Sequence, residues 1–378
     1  MKIAIFESII TPGGHEVEFD RIIVSELKDL GHEVFFYVPE DFEFKFEYGV
    51  AKKYLKGKTI SYTGKRGISK IISSFSKEYN RQKWYKQLYK EAIAKNFDAI
   101  IIPTSTYRYL RALNINDLRK SPLPVIFILH GINPKEAPAF FNEAKKLKKY
   151  HNIKMVPLLF TKDVLGKAGE NIHPIYPPTY TPRDIDYKPQ MIRKETIKIG
   201  FFGQYRKEKK LEDFLNVFVN SNYKKEVELL VQGATMNPSD SEDFERIKEL
   251  YSVYKNISFL HKGLIGAEWQ KAIAEVDVLL MPYSAPRYKY HWGGMLFTAI
   301  GYNKPVVASD DINPEVWEKY NIGKTFKSGD LEDLKNSLEE FITTFDDKFA
   351  CYKEGLNQSS RDFSPQTFAK NLINIIKM

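Results

Sequence analysis

Short apolar runs alternate with segments of helical periodicity along the whole chain. The first half opens with KIAIF and then EVEFDRIIVSELKDLG, in which apolar residues recur every three or four positions. The second half repeats this arrangement with IKIGFFG and LEDFLNVFVNS. Later apolar runs are EVFFYV, FDAIIIPT, VIFILHG, IKMVPLLF, VELLVQG, ISFLHKG, VDVLLMPY and KPVVASD. The pattern predicts an α/β protein in which each half is a doubly wound domain, a parallel sheet covered by helices.

A proline-rich segment separates the two halves. HPIYPPTYTPRDIDYKPQ contains five prolines, which exclude both a helix and a central strand. The length of 378 residues also favours two domains. We predict a first domain over residues 1–180, a linker over 181–195, a second domain over 196–355, and a C-terminal helix over 356–378 that packs on either domain. Ligands of open parallel sheets bind beyond the carboxyl ends of the strands, so two facing domains form a cleft.

The composition favours a protein of the cytoplasm. The single cysteine, Cys351, cannot form a disulfide within the chain, which fits a reducing compartment. The opening MKIAIFESII contains Glu7 and precedes a Gly-Gly turn, so we interpret it as a strand and not as a secretory signal. The longest apolar runs, AIII and VIFIL, are far shorter than the roughly 20 residues of a membrane-spanning helix.

The positive charge is concentrated in one segment. The chain has a formal charge of +9, and Lys45 to Lys95 alone contains 14 Lys and Arg against three Asp and Glu. Apolar residues recur at loosely helical spacing within it: Ile68, Ile71, Ile72, Phe75, Tyr79, Trp84, Tyr85 and Leu88. Such a helix could rest peripherally on an anionic inner membrane face or bind an acidic ligand; the alternative is a solvated basic face. Nucleic acid is not an expected partner, because no recognised nucleic-acid module accompanies the segment.

Two pairs of adjacent glycines each lie between a predicted strand and a predicted helix. Gly293 and Gly294 precede the helix MLFTAIGY, where unpaired N–H groups and the helix dipole favour an anion. We predict that these amides hold a diphosphate, with no metal required. Gly13 and Gly14, in TPGGHE, form either a second binding loop or an ordinary turn.

Cations and one histidine are predicted at the same cleft. Gly203 ends the first strand of the second half, and Arg206, Lys209 and Lys210 follow it near a helix start. Cations are unfavourable at a helix start unless an anion is shared, so they indicate a phosphate; the alternative is a solvated lysine-rich turn. His130 ends a predicted strand and is either a proton carrier in the cleft or a structural residue. The chain's histidines are scattered, so no zinc site is predicted.

The order and spacing of these motifs resemble GT-B glycosyltransferases, most closely glycosyltransferase family 4 and its relatives. In that family a strand ending in Gly is followed by a loop with Arg and a Glu-Lys-Gly helix start. Gly203, Glu208 and Lys209 match this pattern, whereas Gln204 replaces the usual Arg and Lys210 replaces the Gly. The resemblance extends from the N-terminus to about residue 345 and implies two Rossmann-like domains that face a central cleft.

The resemblance fails at two carboxylates. When the sequences are aligned on PVV, the family's two glutamates correspond to Tyr290 and Thr298. In the family the first glutamate lies near the donor sugar and the second binds the ribose. Thr298 still offers a hydroxyl to ribose, whereas Tyr290 does not replace a carboxylate. The resemblance also implies places near the reaction centre for the Gly13–Gly14 loop and for His130.

We therefore predict a metal-independent glycosyltransferase of polysaccharide biosynthesis. It would transfer a sugar from a nucleoside diphosphate donor, UDP- or GDP-linked, to a glycan, lipid-linked or protein acceptor held by the first domain. His130 and Glu16 are the candidate catalytic residues. The candidate donor-binding residues are Gly13, Gly14, Gly203, Arg206, Lys209, Lys210, Tyr290, Gly293, Gly294 and Thr298. Two alternatives stay open: a nucleotide-sugar epimerase of similar fold, and a non-catalytic GT-B partner subunit.

Overall fold

A computed structural model describes residues 1–9, 15–59, 68–158, 169–187, 195–283 and 286–378. They form two lobes, each built on a six-stranded parallel sheet. Gly13 and Gly14 lie outside the described residues. No helix among those described combines the length and the apolar character needed to cross a bilayer.

The first lobe is a doubly wound sheet. Its strands are β1 (Lys2–Phe6), β2 (Glu33–Pro39), β3 (Ala51–Leu55), β4 (Ala99–Ile102), β5 (Val125–Leu129) and β6 (Ile153–Pro157), in the order β3-β2-β1-β4-β5-β6. Its helices are α1 (His15–Asp29), α2 (Ile68–Ile93), α3 (Tyr107–Asn114) and α4 (Ala137–Leu147). Successive side chains of a strand point to opposite faces, so Ile3 and Ile5 join the core beneath α1 while Ala4 and Phe6 join a second core beneath α2 and α3. Burial on both faces explains the continuous apolar runs.

The second lobe repeats this architecture. Its strands are β7 (Thr196–Phe201), β8 (Glu226–Gln232), β9 (Ile257–Leu260), β10 (Val278–Met281), β11 (Val306–Ser309) and β12 (Gly323–Phe326), in the order β12-β11-β10-β7-β8-β9. Its helices are α5 (Leu211–Val219), α6 (Pro238–Tyr251), α7 (Ala267–Glu275), α8 (Gly294–Gly301) and α9 (Pro314–Lys319). The strand that opens each lobe is central in its sheet, as in Rossmann folds. The predicted pair of doubly wound α/β domains is confirmed.

The segment between the sheets is held against both lobes. The backbone N–H groups of Arg183 and Asp184 donate to Oε1 of Gln270 on α7 at 2.9 and 2.8 Å, and Gln270 is fully buried. The carboxylate of Asp184 accepts from Nε2 of Gln270 at 2.6 Å and from the guanidinium of Arg21, on α1, at 3.4 Å. This segment therefore fixes α1 of the first lobe relative to α7 of the second.

The end of the chain returns to the first lobe. Helix α10 (Leu331–Asp362) runs without a break through residue 355, where the sequence suggested a boundary, and α11 (Pro365–Lys377) follows it. The ring of Phe368 on α11 lies 5.7 Å from that of Phe19 on α1. Nζ of Lys154 donates to the carbonyl of Ile375 at 2.8 Å. The two lobes are thus joined at the chain end as well as through the linker.

Candidate functional site

A large cavity lies in the cleft between the lobes. It has a volume of about 650 Å³, and both lobes line it. Its walls are the start of α1, the loops that follow β7 and β10, and the start of α8. The second-lobe loops follow the carboxyl ends of parallel strands, which is where Rossmann-like sheets bind ligands. The topology therefore places the predicted nucleotide-binding motifs around one space.

The second lobe contributes two cations to this cavity. Lys209 is 6% exposed, and its Nζ lies 4.6 Å from the ring centre of Tyr283 and 5.4 Å from that of Phe201. Arg206 lines the cavity and donates from Nη2 to Oε1 of Gln204 at 3.0 Å. A Cβ on Gly203 would lie 3.8 Å from Nζ of Lys209, and Gly203 has a φ of +107°, which only glycine adopts readily. The structure thus brings these three predicted residues together at the cavity, with Lys209 buried and Arg206 partly exposed.

Lys210 does not share this position. It is exposed, is absent from the cavity wall, and begins α5 with φ +50° and ψ +47°. This left-handed conformation explains why glycine suits the position in the family that the sequence resembles. The backbone of Lys210 turns into α5 while the neighbouring Lys209 lines the cavity, so the structure places Lys210 away from it, and its contact with the ligand stays a prediction.

The amides of Gly293 and Gly294 both have acceptors within the protein. The N–H of Gly293 donates to Oδ1 of Asn313 at 2.8 Å, and that of Gly294 donates to the carbonyl of Trp292 at 3.1 Å. The next amide, that of Met295, has no acceptor among the described residues, and Met295 lines the cavity. Both glycines do line the cavity as predicted. The N–H group without an acceptor at this helix start is, however, that of Met295 and not that of either glycine.

Asn313 holds this loop, and sequence analysis missed it. It is 1% exposed, has a φ of +44°, and donates from Nδ2 to the carbonyl of His291 at 3.1 Å. A Cβ on Gly293 would lie 2.6 Å from Oδ1 of Asn313, so glycine is needed there to admit an amide side chain. The sequence INPE favours a helix cap at this asparagine, yet its side chain caps no helix and reaches the loop instead.

Thr298 and Tyr290, which the predicted alignment sets against the family's two glutamates, differ in their surroundings. Thr298 is 1% exposed, lines the cavity and donates from Oγ1 to the carbonyl of Gly294 at 2.8 Å. Its hydroxyl proton is therefore engaged, and its hydroxyl oxygen can act toward a ligand only as an acceptor. Tyr290 is absent from the cavity wall, and its side chain packs against the core of the first lobe. The pairing with the first lobe thus turns Tyr290 away from this cavity, and its contact with the donor stays a prediction.

The loop that contains Tyr290 joins the lobes directly. Gly131 and His291 form an antiparallel backbone pair, flanked by hydrogen bonds from the Trp292 N–H to the His130 carbonyl at 2.7 Å and from the Ile132 N–H to the Tyr290 carbonyl at 3.1 Å. We call the pairing of residues 130–132 with residues 290–292 the interlobe bridge. A Cβ on Gly131 would lie 2.3 Å from the Tyr290 carbonyl oxygen, so only glycine permits this approach.

His130 is built into the bridge. Its Nε2 lies 2.9 Å from the carbonyl oxygen of Pro103, which accepts a hydrogen bond when that nitrogen carries the proton. Its ring makes edge contacts with the rings of Phe19 and Trp292, with centres 4.7 and 5.3 Å away. His130 lines a smaller neighbouring cavity and not the large one. Its contacts support the structural alternative for this histidine.

The smaller cavity, of about 280 Å³, lies against the first lobe. Its wall includes Thr104, Ser105, Thr106 and Tyr107 from the segment after β4. Four residues line both cavities: Glu16, Glu136, His291 and Trp292. Glu16 was a predicted catalytic residue. Glu136 and His291 were missed, because nothing local in the sequence relates the start of α4 to the loop after β10.

The first lobe buries the carboxyl groups of Glu7, Glu18 and Asp20, and Glu18 lines the cavity between the lobes. Burial raises the pKa of Glu7 to about 8, although the N–H groups of Ser8 and Ile9 each donate to it at 2.5 Å. Burial also raises the pKa of Asp20, and the nearby Glu7 and Glu16 raise it further. Burial raises that of Glu18 against the opposing charge of Arg21. Acidic groups on α1 thus lie opposite the cations of the second lobe. Within the described ranges, no three His, Cys, Asp or Glu side chains are grouped closely enough to hold a metal ion.

Comparison with known proteins identifies the architecture. Residues 196–344 match the family model of glycosyl transferases group 1. The Anabaena protein HepE, crystallised with UDP and glucose, has a TM-score of 0.67 and 15% identity over 100% of this chain and 99% of its own. A glycosyltransferase from Rickettsia africae has a TM-score of 0.70 and 13% identity over 100% of this chain and 97% of its own. No match was found among curated protein sequences.

A third similar structure is the sucrose-phosphate synthase of Thermosynechococcus elongatus, with a TM-score of 0.67 and 13% identity over 100% of this chain and 98% of its own. The full-length coverage shows that both lobes share the GT-B arrangement, so the predicted fold is confirmed. The family-model match lies within the second lobe. The predicted glycosyltransferase function agrees with both comparisons.

Proposed function

We propose that the protein is a glycosyltransferase that takes its sugar from a nucleoside diphosphate donor bound to the second lobe. The observation that carries this proposal is the position of Lys209, whose buried ammonium lines the interlobe cavity beside Arg206 and the open start of α8. A diphosphate placed there gains charge as the glycosidic bond breaks, and preorganised cations stabilise that charge. The group 1 domain match supports the same assignment.

We assign the diphosphate to Lys209, Arg206 and the Met295 amide. The Met295 N–H is the second of helix α8 and, among the described residues, has no acceptor, so it suits an anion at a helix start. Because two cations and an amide donor together favour a bound diphosphate, we propose that turnover is metal-independent. Addition of EDTA to the enzyme should leave its turnover unchanged, and loss of turnover that Mg²⁺ or Mn²⁺ restores would contradict this.

We propose UDP-linked sugars as the first donors to test. The HepE structures contain UDP and UDP-glucose, and each aligns with the full length of this chain. Isothermal titration with UDP, GDP and ADP identifies the nucleotide, and release of that nucleotide from its glucose conjugate measures turnover. If none of the three nucleotides binds to the protein, the proposed function is refuted.

Lys209→Met tests the diphosphate contact. A charge-assisted hydrogen bond contributes about 1.5–3 kcal/mol, so the dissociation constant of the bound nucleotide should rise roughly 10- to 150-fold. Lys207→Met is a matched control, because Lys207 lies two residues away on the same short turn, is exposed and does not line the cavity. Equal losses in both variants would mean that net charge alone, and not the placement of Lys209, governs binding.

The acceptor belongs to the first lobe in this proposal. The smaller cavity adjoins the donor cavity and carries hydroxyl groups of Thr104, Ser105, Thr106 and Tyr107. Hydroxyl and aromatic side chains in a concave site suit a sugar ring of the acceptor. We therefore favour a saccharide acceptor, free or lipid-linked. Thr104→Val should raise the KM for a saccharide acceptor while the affinity for nucleotide stays constant.

We further propose that helix α2 contacts an anionic membrane. Phe75 and Tyr79 are 73% and 71% exposed, and Lys83, Lys86 and Lys90 follow them at helical spacing on one exposed face. Aromatic rings insert into the headgroup region while lysines remain at its anionic surface. The charge excess of the surrounding segment complements such a surface.

Cosedimentation with vesicles tests the membrane contact. The protein should bind vesicles of phosphatidylglycerol and phosphatidylcholine, release at high salt, and bind weakly to phosphatidylcholine alone. The double variant Phe75→Ser/Tyr79→Ser should lose most of this binding. Lys370→Glu, an exposed lysine on α11, is the control for charge. Equal binding of the double variant and the unmodified protein would rule the contact out.

A further inference from the structure

The two cavities meet at a small set of residues. The donor cavity contains the proposed diphosphate contacts, and the smaller cavity contains the hydroxyl-bearing side chains of the first lobe. Transfer requires the anomeric carbon and the attacking oxygen to approach within about 3–3.5 Å. The reacting atoms therefore lie where the cavities adjoin, beside the residues that line both. Three of these four residues are titratable: Glu16, Glu136 and His291.

Both the first lobe and the second lobe hold His291 at this junction. Its backbone pairs with Gly131 across the cleft, and its carbonyl accepts from Nδ2 of Asn313 at 3.1 Å. A Cβ on Gly131 would lie 2.7 Å from Cγ of His291, so the imidazole rests against a residue without a side chain. Elements of both lobes thus position this ring, as a catalytic group requires.

The other candidates are less suited to this position. His130 contacts only the smaller cavity, and its Nε2 is engaged with the carbonyl of Pro103. Glu136 is an exposed residue that precedes α4. A solvated carboxylate is a weaker general base near neutral pH than an imidazole.

Charged groups surround His291 on several sides. The groups that share its two cavities are Glu16 and Glu18 of α1, Glu136 before α4, His130 after β5, and Arg206 and Lys209 of the second lobe. Glu16 and Glu136 line both cavities with His291, whereas Arg206 and Lys209 line only the donor cavity. A proton that moves to His291 therefore gains stabilisation from the carboxylates, while the leaving diphosphate stays with the cations.

We propose that His291 is a catalytic residue that accepts the proton of the attacking hydroxyl. The hydroxyl oxygen bonds to the anomeric carbon of the donor sugar as its proton passes to a nitrogen of the His291 imidazole. The bond between the anomeric carbon and the diphosphate oxygen breaks, and its electron pair leaves with the diphosphate. This inference rests on the proposed function, and it gives the loop that lost the family's glutamates a proton acceptor of its own.

The test uses the full chain and the slow transfer of glucose to water from UDP-glucose, or from the nucleotide conjugate that binds. His291→Ala should lower kcat about 10²- to 10⁴-fold, remove the acidic limb of the kcat profile against pH, and leave nucleotide affinity within about twofold. Added imidazole should restore part of the rate. His151→Gln, an exposed histidine before β6, should match the unmodified enzyme.

The outcomes separate the two proposals. If the unmodified enzyme turns over no nucleotide sugar, the proposed function fails and takes this inference with it. If the unmodified enzyme is active and His291→Ala keeps its rate or its acidic limb, this inference alone fails. A parallel loss of nucleotide affinity and rate, without rescue by imidazole, would assign His291 a structural role and also overturn the inference.

Discussion

The interlobe bridge depends on the absence of one side chain, that of Gly131. An alanine Cβ there would lie 2.3 Å from the carbonyl oxygen of Tyr290 and 2.6 Å from Cα of His291. Both contacts are with backbone atoms, which cannot rotate away as a flexible side chain does. Gly131→Ala should therefore open the bridge and leave each lobe intact.

The magnitude follows from the hydrogen bonds that the opening breaks. The bridge contains the bond from the Trp292 N–H to the His130 carbonyl at 2.7 Å and the bond from the Ile132 N–H to the Tyr290 carbonyl at 3.1 Å. Each contributes about 1 kcal/mol net, because water replaces part of it after opening. A loss of about 2 kcal/mol corresponds to roughly a 30-fold smaller equilibrium constant between the closed and open forms. We expect kcat/KM to fall by up to about that factor.

Two measurements check this reasoning. Turnover of the nucleotide sugar reports the closed population, and small-angle scattering reports an increase in the radius of gyration without needing an active enzyme. Nucleotide affinity should change little, because Lys209 and Arg206 both belong to the second lobe. Gly169→Ala is the control, since its Cβ would meet only the side-chain oxygen of Asn171 at 3.3 Å. Unchanged scattering and turnover in Gly131→Ala would refute the role of the bridge.

Two further predictions follow from the same site. Because Glu7 keeps its proton in the folded protein up to a pKa of about 8 but loses it near 4.5 when unfolded, stability falls as pH rises through that window, by at most about 1.4 kcal/mol per unit. Urea denaturation at pH 5 and pH 8 should show a smaller decrease for Glu7→Gln than for the unmodified protein; identical decreases would contradict the buried protonated state. Asn313→Asp keeps the acceptor for the Gly293 N–H but removes the donor to the His291 carbonyl, so kcat should fall at least tenfold. The melting temperature should fall less in Asn313→Gly than in Asn313→Ala, because glycine tolerates the left-handed backbone at this position. Equal kcat values for Asn313→Asp and the unmodified enzyme would show that Asn313 does not position the loop.

The secondary structure and the class of fold were readable from the sequence. Buried parallel strands need continuous apolar runs, whereas the helices that cover them need apolar residues along one face only. KIAIF, AIII and VIFIL were therefore recognisable as strands without knowledge of their neighbours. The same local logic found Gly203, whose positive φ admits little but glycine, and the cations that follow it.

Contacts between the lobes were decided only by the tertiary structure. Local periodicity specifies which face of an element is buried, but it carries no information about which loops meet across a cleft. The sequence therefore placed Tyr290 at the donor, whereas pairing with Ile132 turns it toward the first lobe. The sequence also predicted that the Gly293 N–H donates to the ligand, whereas it donates to the buried side chain of Asn313. The junction at His291 exists because residues distant in the chain approach through a glycine, and that proximity is a property of the assembled fold.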